Sequence, residues 1–347
     1  MEHWTPHINT QFEGWYSKFE FPSGSSLAII ISTVPNAVKK PHLLSITYHP
    51  HSQRSEVFQR EIFVPSIERV RLDSNAFELR VEGFGIMTCS PTGMVTYDFS
   101  IPDFQFHATT SPFMPWKRNG GPGAANTPFG WQVHLPLPLH WHVQDLAASG
   151  SYSLNLPNHS GFLEADVSGT VSVHQEKNWA SSFPEKHMWV QARAPDNSAF
   201  LCLAGGRLLG LDLYNIGFRS QTNHIDIRPP LCVGRGSLSL TTKTNVDWEN
   251  RAFGIRVNGL WRSLEVNCSA PKGTWFGITA PFGDGHRENF LAESWNARVE
   301  VVVKKRGLLG LLMCGGWKET ERKVFENAAL EFGGAFYGDV GTEKKRS

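Results

Sequence analysis

Residues 75–81, Asn-Ala-Phe-Glu-Leu-Arg-Val, alternate polar and apolar side chains, the mark of a strand with one buried face. Short stretches of this kind recur at 18–21, 27–33, 43–48, 94–99, 104–107, 139–144, 151–156 and 161–174. They resume at 188–194, 200–204, 237–242, 253–257, 264–268 and 297–304. Most are rich in β-branched or aromatic residues, and Gly, Pro, Ser and Asn separate them as turn formers. No amphipathic helix longer than about three turns is evident. Residues 319–331 have a helix-permissive composition, although their apolar positions also fit a closing strand. This cadence predicts an all-β protein of sandwich or barrel type. Its 347 residues suffice for two antiparallel β halves, expected at 1–175 and 176–347.

Between these halves lies an unusual stretch: His174, Gln175, Glu176, Lys177, Asn178 and Trp179, then Phe183, Pro184, Trp189, Val190 and Gln191. A carboxylate, a cation, an amide and two indoles crowd together where two β halves join, so a pocket is expected near that junction. Residues 119–128 are rich in Gly and Pro without a hydrophobic period. They read as a surface excursion or a lid, and not as a phosphate loop, because no Gly-Lys-Ser/Thr closes them.

Composition removes several function classes. There are 33 basic and 32 acidic residues, a formal charge of +1, so bulk electrostatics predicts neither a nucleic-acid nor an acidic-membrane partner. The basic runs 304–306 and 344–346 are short and read as solvated surface charge. No apolar run approaches the roughly 20 residues of a membrane-spanning helix. Five dispersed cysteines, without a CxxC pair or a secretory leader, read as reduced buried thiols of a cytoplasmic protein. The aromatic count is high, with 12 Trp and 23 Phe against 6 Tyr. Most of these rings belong in cores, but a surplus of indoles also suits a cavity for an apolar or cationic guest. The expected partner is therefore a hydrophobic small molecule. Oligomeric state is not readable.

Cofactor and nucleophile signatures are missing. There is no Gly-x-Ser-x-Gly elbow and no Gly-x-Gly-x-x-Gly between a strand and a helix. His140 and His142, two apart on a strand, share one face. They read as a hydrogen-bonded and a surface histidine, or as two ligands of a metal whose third ligand is not evident. No cofactor or metal is expected. Two carboxylates stand among aromatic residues: Glu13, beside Phe12, Trp15 and Tyr16, and Glu176, between His174 and Trp179. Lost solvation would raise such a pKa until the group holds a proton at neutral pH. The alternative is that Lys177 or an arginine pairs with each of them.

These stretches resemble the tocopherol cyclase family. Phe12, Glu13, Gly14, Trp15 and Tyr16 are similar to its opening motif, and His140-Trp141 to the His-Trp of its middle strand. Glu176 through Trp179, Phe183-Pro184 and Trp189 through Gln191 are similar to its central signature. Gly205-Gly206 after Ala204 and residues 329–334 also have counterparts. Where the family continues into glycines, this chain has Ala180, Ser181 and Ser182. The resemblance implies a two-part lipocalin-like architecture and closure of a chromanol ring on a prenylated quinol. In that chemistry a buried acid protonates an alkene, aromatic faces stabilise the cation, and the phenol oxygen closes the ring. Glu176 becomes the expected acid or proton relay, with Glu13 the alternative acid and His140 orienting or deprotonating the phenol. Asn178 positions the substrate, while Trp15, Tyr16, Trp141, His142, Trp179, Trp189 and Gln191 complete the expected binding wall. A pericyclic natural-product cyclase and a lipid or pigment carrier are the rival readings.

Overall fold

The computed structural model describes residues 3–7, 9–51, 56–117, 127–137, 139–181, 183–208, 210–234, 241–308 and 316–337. Most of loop 119–128, most of the predicted strand 237–242, Cys314 and the basic tail lie outside them. The first sheet is built from β1 (Phe12–Glu20), β2 (Ser26–Thr33), β3 (His42–His49), β4 (Phe58–Phe63), β5 (Ile67–Arg71) and β6 (Phe77–Val81). It continues with β7 (Gly85–Cys89), β8 (Val95–Ile101), β9 (Phe104–Thr110), β10 (Leu139–Asn155) and β11 (Ser168–Ala180). Its strand order is β4-β3-β2-β1-β11-β10-β9-β8-β7-β6-β5, with antiparallel pairing.

Every second residue of β8 and β9 is buried: Val95, Tyr97, Phe99 and Ile101, then Phe104, Phe106 and Ala108. One buried cluster takes side chains from all eleven strands. A flat sheet this wide cannot gather its edges into one cluster, so the sheet curls around its own core. Phe58 of the edge strand β4 stacks on Phe104 of β9, six places along the strand order, at 6.1 Å, and Arg60 pairs with Asp103.

The second sheet is built from β12 (Lys186–Arg193), β13 (Phe200–Leu208), β14 (Leu211–Arg219), β15 (His224–Ile227), β16 (Val233–Gly234) and β17 (Thr242–Asp247). It continues with β18 (Ala252–Asn258), β19 (Arg262–Ser269), β20 (Phe276–Phe282), β21 (Gly285–Lys305) and β22 (Lys318–Gly334). Its main path is β15-β14-β13-β12-β22-β21-β19-β18-β17. Both sheets follow one plan: the first strand pairs with the last, and hairpins run outward on either side. The all-β expectation holds. The chain forms two compact units, one comprising Met1–Phe183 and Thr279–Glu288, the other Pro184–Ile278 and Asn289–Lys344.

Several local expectations change. The predicted runs 139–144 and 151–156 are one strand, β10, with register shifts between Val143 and Ala148. Asp145 holds this irregularity, its Oδ1 accepting backbone N–H groups of Met114 (3.0 Å), Ala147 (3.1 Å) and Ala148 (2.9 Å). The predicted run 161–174 starts instead at Ser168, after a 3-10 turn at Glu164–Asp166. Residues 319–331 belong to strand β22, which resolves their ambiguity. The described cysteines are buried and form no disulfide. No helix among the described residues is long and apolar enough to cross a membrane.

Candidate functional site

β1, β11 and β10 lie side by side in the first sheet, and their register sorts the candidate residues into rows. Glu13, Trp179 and His140 form one row, and Gly14, Asn178 and Trp141 the next. Trp15, Lys177 and His142 follow, then Tyr16, Glu176 and Val143. Successive side chains point to opposite faces of a sheet. Glu13, Trp15, His140, His142 and Trp179 therefore face the core, whereas Tyr16, Trp141, Glu176 and Asn178 face the other way. Glu13 and His140 come together across Trp179, and neither converges with Glu176. Trp189 and Gln191 sit on β12 of the second unit, both buried, on the face opposite its core residues Met188 and Val190.

The core-facing group is a fixed ionic latch. Lys177 Nζ lies 2.6 Å from Glu13 Oε1, both side chains fully buried. His7 donates its backbone N–H to the same oxygen at 2.8 Å, and Arg69 reaches Oε2 at 3.3 Å. Lys177 also donates to the carbonyl of Thr5, while Trp15 Nε1 donates to that of Trp4 at 3.0 Å. The segment 3–7 is thus tied to β1 and β11. Burial alone would raise the Glu13 pKa, but the charge of Lys177 and hydrogen bonds from His7 and Lys177 outweigh it, leaving it below the usual value. Glu13 is therefore a carboxylate at neutral pH, which matches the paired alternative and not the protonated acid. Burial pulls Lys177 down to about 8 despite its partner.

Three imidazoles stack on Trp179: His7 at 4.3 Å, His140 at 4.9 Å and His3 at 5.2 Å between ring centroids. Burial lowers His3 to about 4 and His142 to about 3, and also lowers His140, so these three are neutral at pH 7. His140 and His142 share a face as their spacing predicts. Among the described residues no third donor completes a coordinating group with them. Nε2 of His140 meets the Leu135 carbonyl at 2.7 Å, and that of His142 meets Gln144 at 2.9 Å.

On the opposite face, Glu176 Oε1 lies 2.8 Å from His174 Nε2, and its Oε2 accepts from Trp141 Nε1 at 2.7 Å. All three residues are buried. A carboxylate on Nε2 favours the tautomer with its proton there, which leaves Nδ1 a lone pair. That Nδ1 is buried without a hydrogen-bond partner. A carboxylate-oriented imidazole whose second nitrogen has no partner among the described residues is suited to taking and returning a proton once a substrate reaches it. His174 was passed over as a site residue in the sequence, although its spacing of two from Glu176 on a strand was the available signal.

Gly14 explains itself here. A Cβ at this position would stand 2.8 Å from Asn178 Oδ1, so glycine lets that amide keep its place and a larger residue would make it shift. Next to it, Ser32 Oγ lies 2.9 Å from His286 Nε2.

A sequence profile of the tocopherol cyclase-like family matches residues 9–306, taking in both faces of β1, β10 and β11. The chain belongs to the tocopherol cyclase-like family. No curated protein sequence matches it. Among solved structures, CghA is similar with a TM-score of 0.57 and 12% identity, over 93% of this chain and 87% of that one. A candidate AttH of Nitrosomonas europaea is similar with a TM-score of 0.50 and 12% identity, over 95% and 94% of the two chains. At this identity the likeness concerns the fold. Ala180, where this tocopherol cyclase-like chain departs from the expected glycine, is still inside β11 and pairs with Phe12 and Leu139.

Proposed function

We propose that the protein is a cofactor-independent cyclase or isomerase that closes a chroman-type ring on an apolar prenylated phenol or quinol. The observation that carries this reading is the buried Glu176–His174 pair, whose Nδ1 has no hydrogen-bond partner among the described residues. His174, protonated on Nδ1, gives that proton to a trisubstituted alkene and leaves a tertiary cation; the phenol oxygen attacks the cation, and its proton returns to Nδ1. Atoms and charge balance without a redox partner, so product and substrate are isomers. Glu176 orients His174 and balances the imidazolium that forms when His174 carries the proton. Trp141 and Tyr16, on the same face, offer π surfaces to the cation. Exclusion of water keeps that cation from being hydrated.

The test is turnover of prenylated phenols and quinols in D2O, followed by mass spectrometry. Expected is an isomeric product with one deuterium at the former alkene carbon. Glu176→Gln should lower kcat by about 10²–10⁴-fold. Full turnover in Glu176→Gln, with loss in Glu13→Gln, would move the acid to the core face and refute this assignment. Product without deuterium indicates a pericyclic reaction, and tight binding without product indicates a carrier.

A further inference from the structure

At one end of the second sheet, β18 turns into β19, β21 ends and β22 begins. Leu260 is 67% exposed there, Trp261 48% and Leu308 66%. Arg262 stands directly opposite Lys305, and Lys305 directly opposite Lys318, all three exposed. Like charges at facing register positions repel, so this row costs stability until something anionic meets it. The nearby Lys304 and Arg256 differ, since both converge on Glu265 at 2.6 and 2.8 Å. Among the described residues no carboxylate forms an ion pair with Arg262, Lys305 or Lys318.

The tip is also held in shape. Arg306 donates its Nε to the Leu260 carbonyl at 2.8 Å and its backbone N–H to the Trp261 carbonyl at 3.1 Å. Its guanidinium lies 4.3 Å from the centre of the Trp317 ring. The turn carrying Leu260 and Trp261 is thereby fixed to the end of β21, next to the cations.

We propose that this tip docks the protein on an anionic phospholipid bilayer. Leucine and tryptophan side chains enter the headgroup boundary, where an indole finds both apolar and polar neighbours. The lysines and arginine keep their charges at the lipid phosphates while their stems stay apolar. A nucleic acid would engage the cations but leave Leu260 and Leu308 in water. The net charge of +1 does not oppose this, because screening makes such attraction local. The inference stands apart from the proposed chemistry, and its test does not read activity.

Full-length protein is sedimented with phosphatidylcholine vesicles, with and without phosphatidylglycerol. Expected is binding to the anionic vesicles only, released by rising salt. The triple variant Arg262→Gln, Lys305→Gln, Lys318→Gln should partition about a hundredfold less. Leu260→Ser with Trp261→Ser should weaken binding by a similar factor, with an unchanged circular dichroism spectrum. Trp261→Phe should still bind but lose part of the quenching by brominated lipid. Equal binding to neutral vesicles, binding to neither, or wild-type binding by the triple variant overturns the proposal. So does salt-sensitive retention of duplex DNA that the Leu260 and Trp261 changes leave untouched.

Discussion

Replacing Lys177 by methionine takes from the fully buried Glu13 carboxylate its nearest cation and leaves it only the longer contact to Arg69 and its hydrogen bonds with His7. Breaking such a pair from one side costs about 3–5 kcal/mol, whereas removing both charges costs much less. In urea melts, Lys177→Met and Glu13→Gln should each destabilise strongly, and the double variant less than the sum. Additive losses would show that the two groups act separately. Asp145 sets a pH dependence of definite sign. Burial raises its pKa from 3.8 to about 8, against its backbone hydrogen bonds. Between those values the folded chain holds a proton that the unfolded chain has lost, so stability falls as pH rises and levels off above about 8. Asp145→Asn keeps an acceptor without ionising. Its Tm should lack this component, so the gap between variant and wild type shifts in the variant's favour as pH rises from 4 to 8. Parallel profiles would mean that Asp145 does not titrate in this range.

At the scale of the strand, β11 is a two-sided device. One side carries Lys177 and Trp179 toward the core latch, and the other carries His174, Glu176 and Asn178 toward the proposed proton relay. Gly14 on the neighbouring strand is the point where side-chain size decides the arrangement. Gly14→Ala places a methyl group against Asn178 Oδ1 and should cost about 1–3 kcal/mol through overpacking. Asn178→Ala in the same background should recover part of that loss. Denaturation midpoints of the single and double variants check it, and an absence of recovery would place the strain elsewhere. The run legible in the sequence stops at His174, and the Glu176 to Trp179 motif, expected at a junction between the halves, instead continues that strand. Its place between β1 and β10 was not legible.

At the scale of the whole molecule, the chain revisits its first unit late. The hairpin within Thr279–Glu288 joins that unit after most of the second sheet has been made. His286 hydrogen-bonds the Lys40 carbonyl at 2.7 Å and Ser32 Oγ at 2.9 Å, and Thr279 N–H reaches Glu61 at 2.7 Å. His286→Ala leaves these acceptors to find water and should cost about 1–3 kcal/mol, read as a lower midpoint in chemical denaturation. The surface ion pair Lys40–Glu288, 2.7 Å apart, is exposed and should contribute little. An unchanged midpoint in His286→Ala would show that the hairpin is held by other contacts.

The amino-acid sequence by itself determined the all-β class, because period-two alternation is a local property that each strand writes in its own residues. It also determined the family, whose motifs appear in order along the chain. Which side of the sheet each motif residue serves was decided only by tertiary structure. Alternation relates neighbours within β1 or within β11, but the register that aligns Glu13 with Trp179 and Gly14 with Asn178 joins positions far apart in the chain. The same distance hid His7, whose backbone N–H supports the Glu13 carboxylate, whereas the pairing with Lys177 was one of the two readings open from the sequence. His174 and Glu176 stand two apart in the sequence. Only the paired sheet shows that Trp141 also donates to Glu176 and that His140 faces the other way.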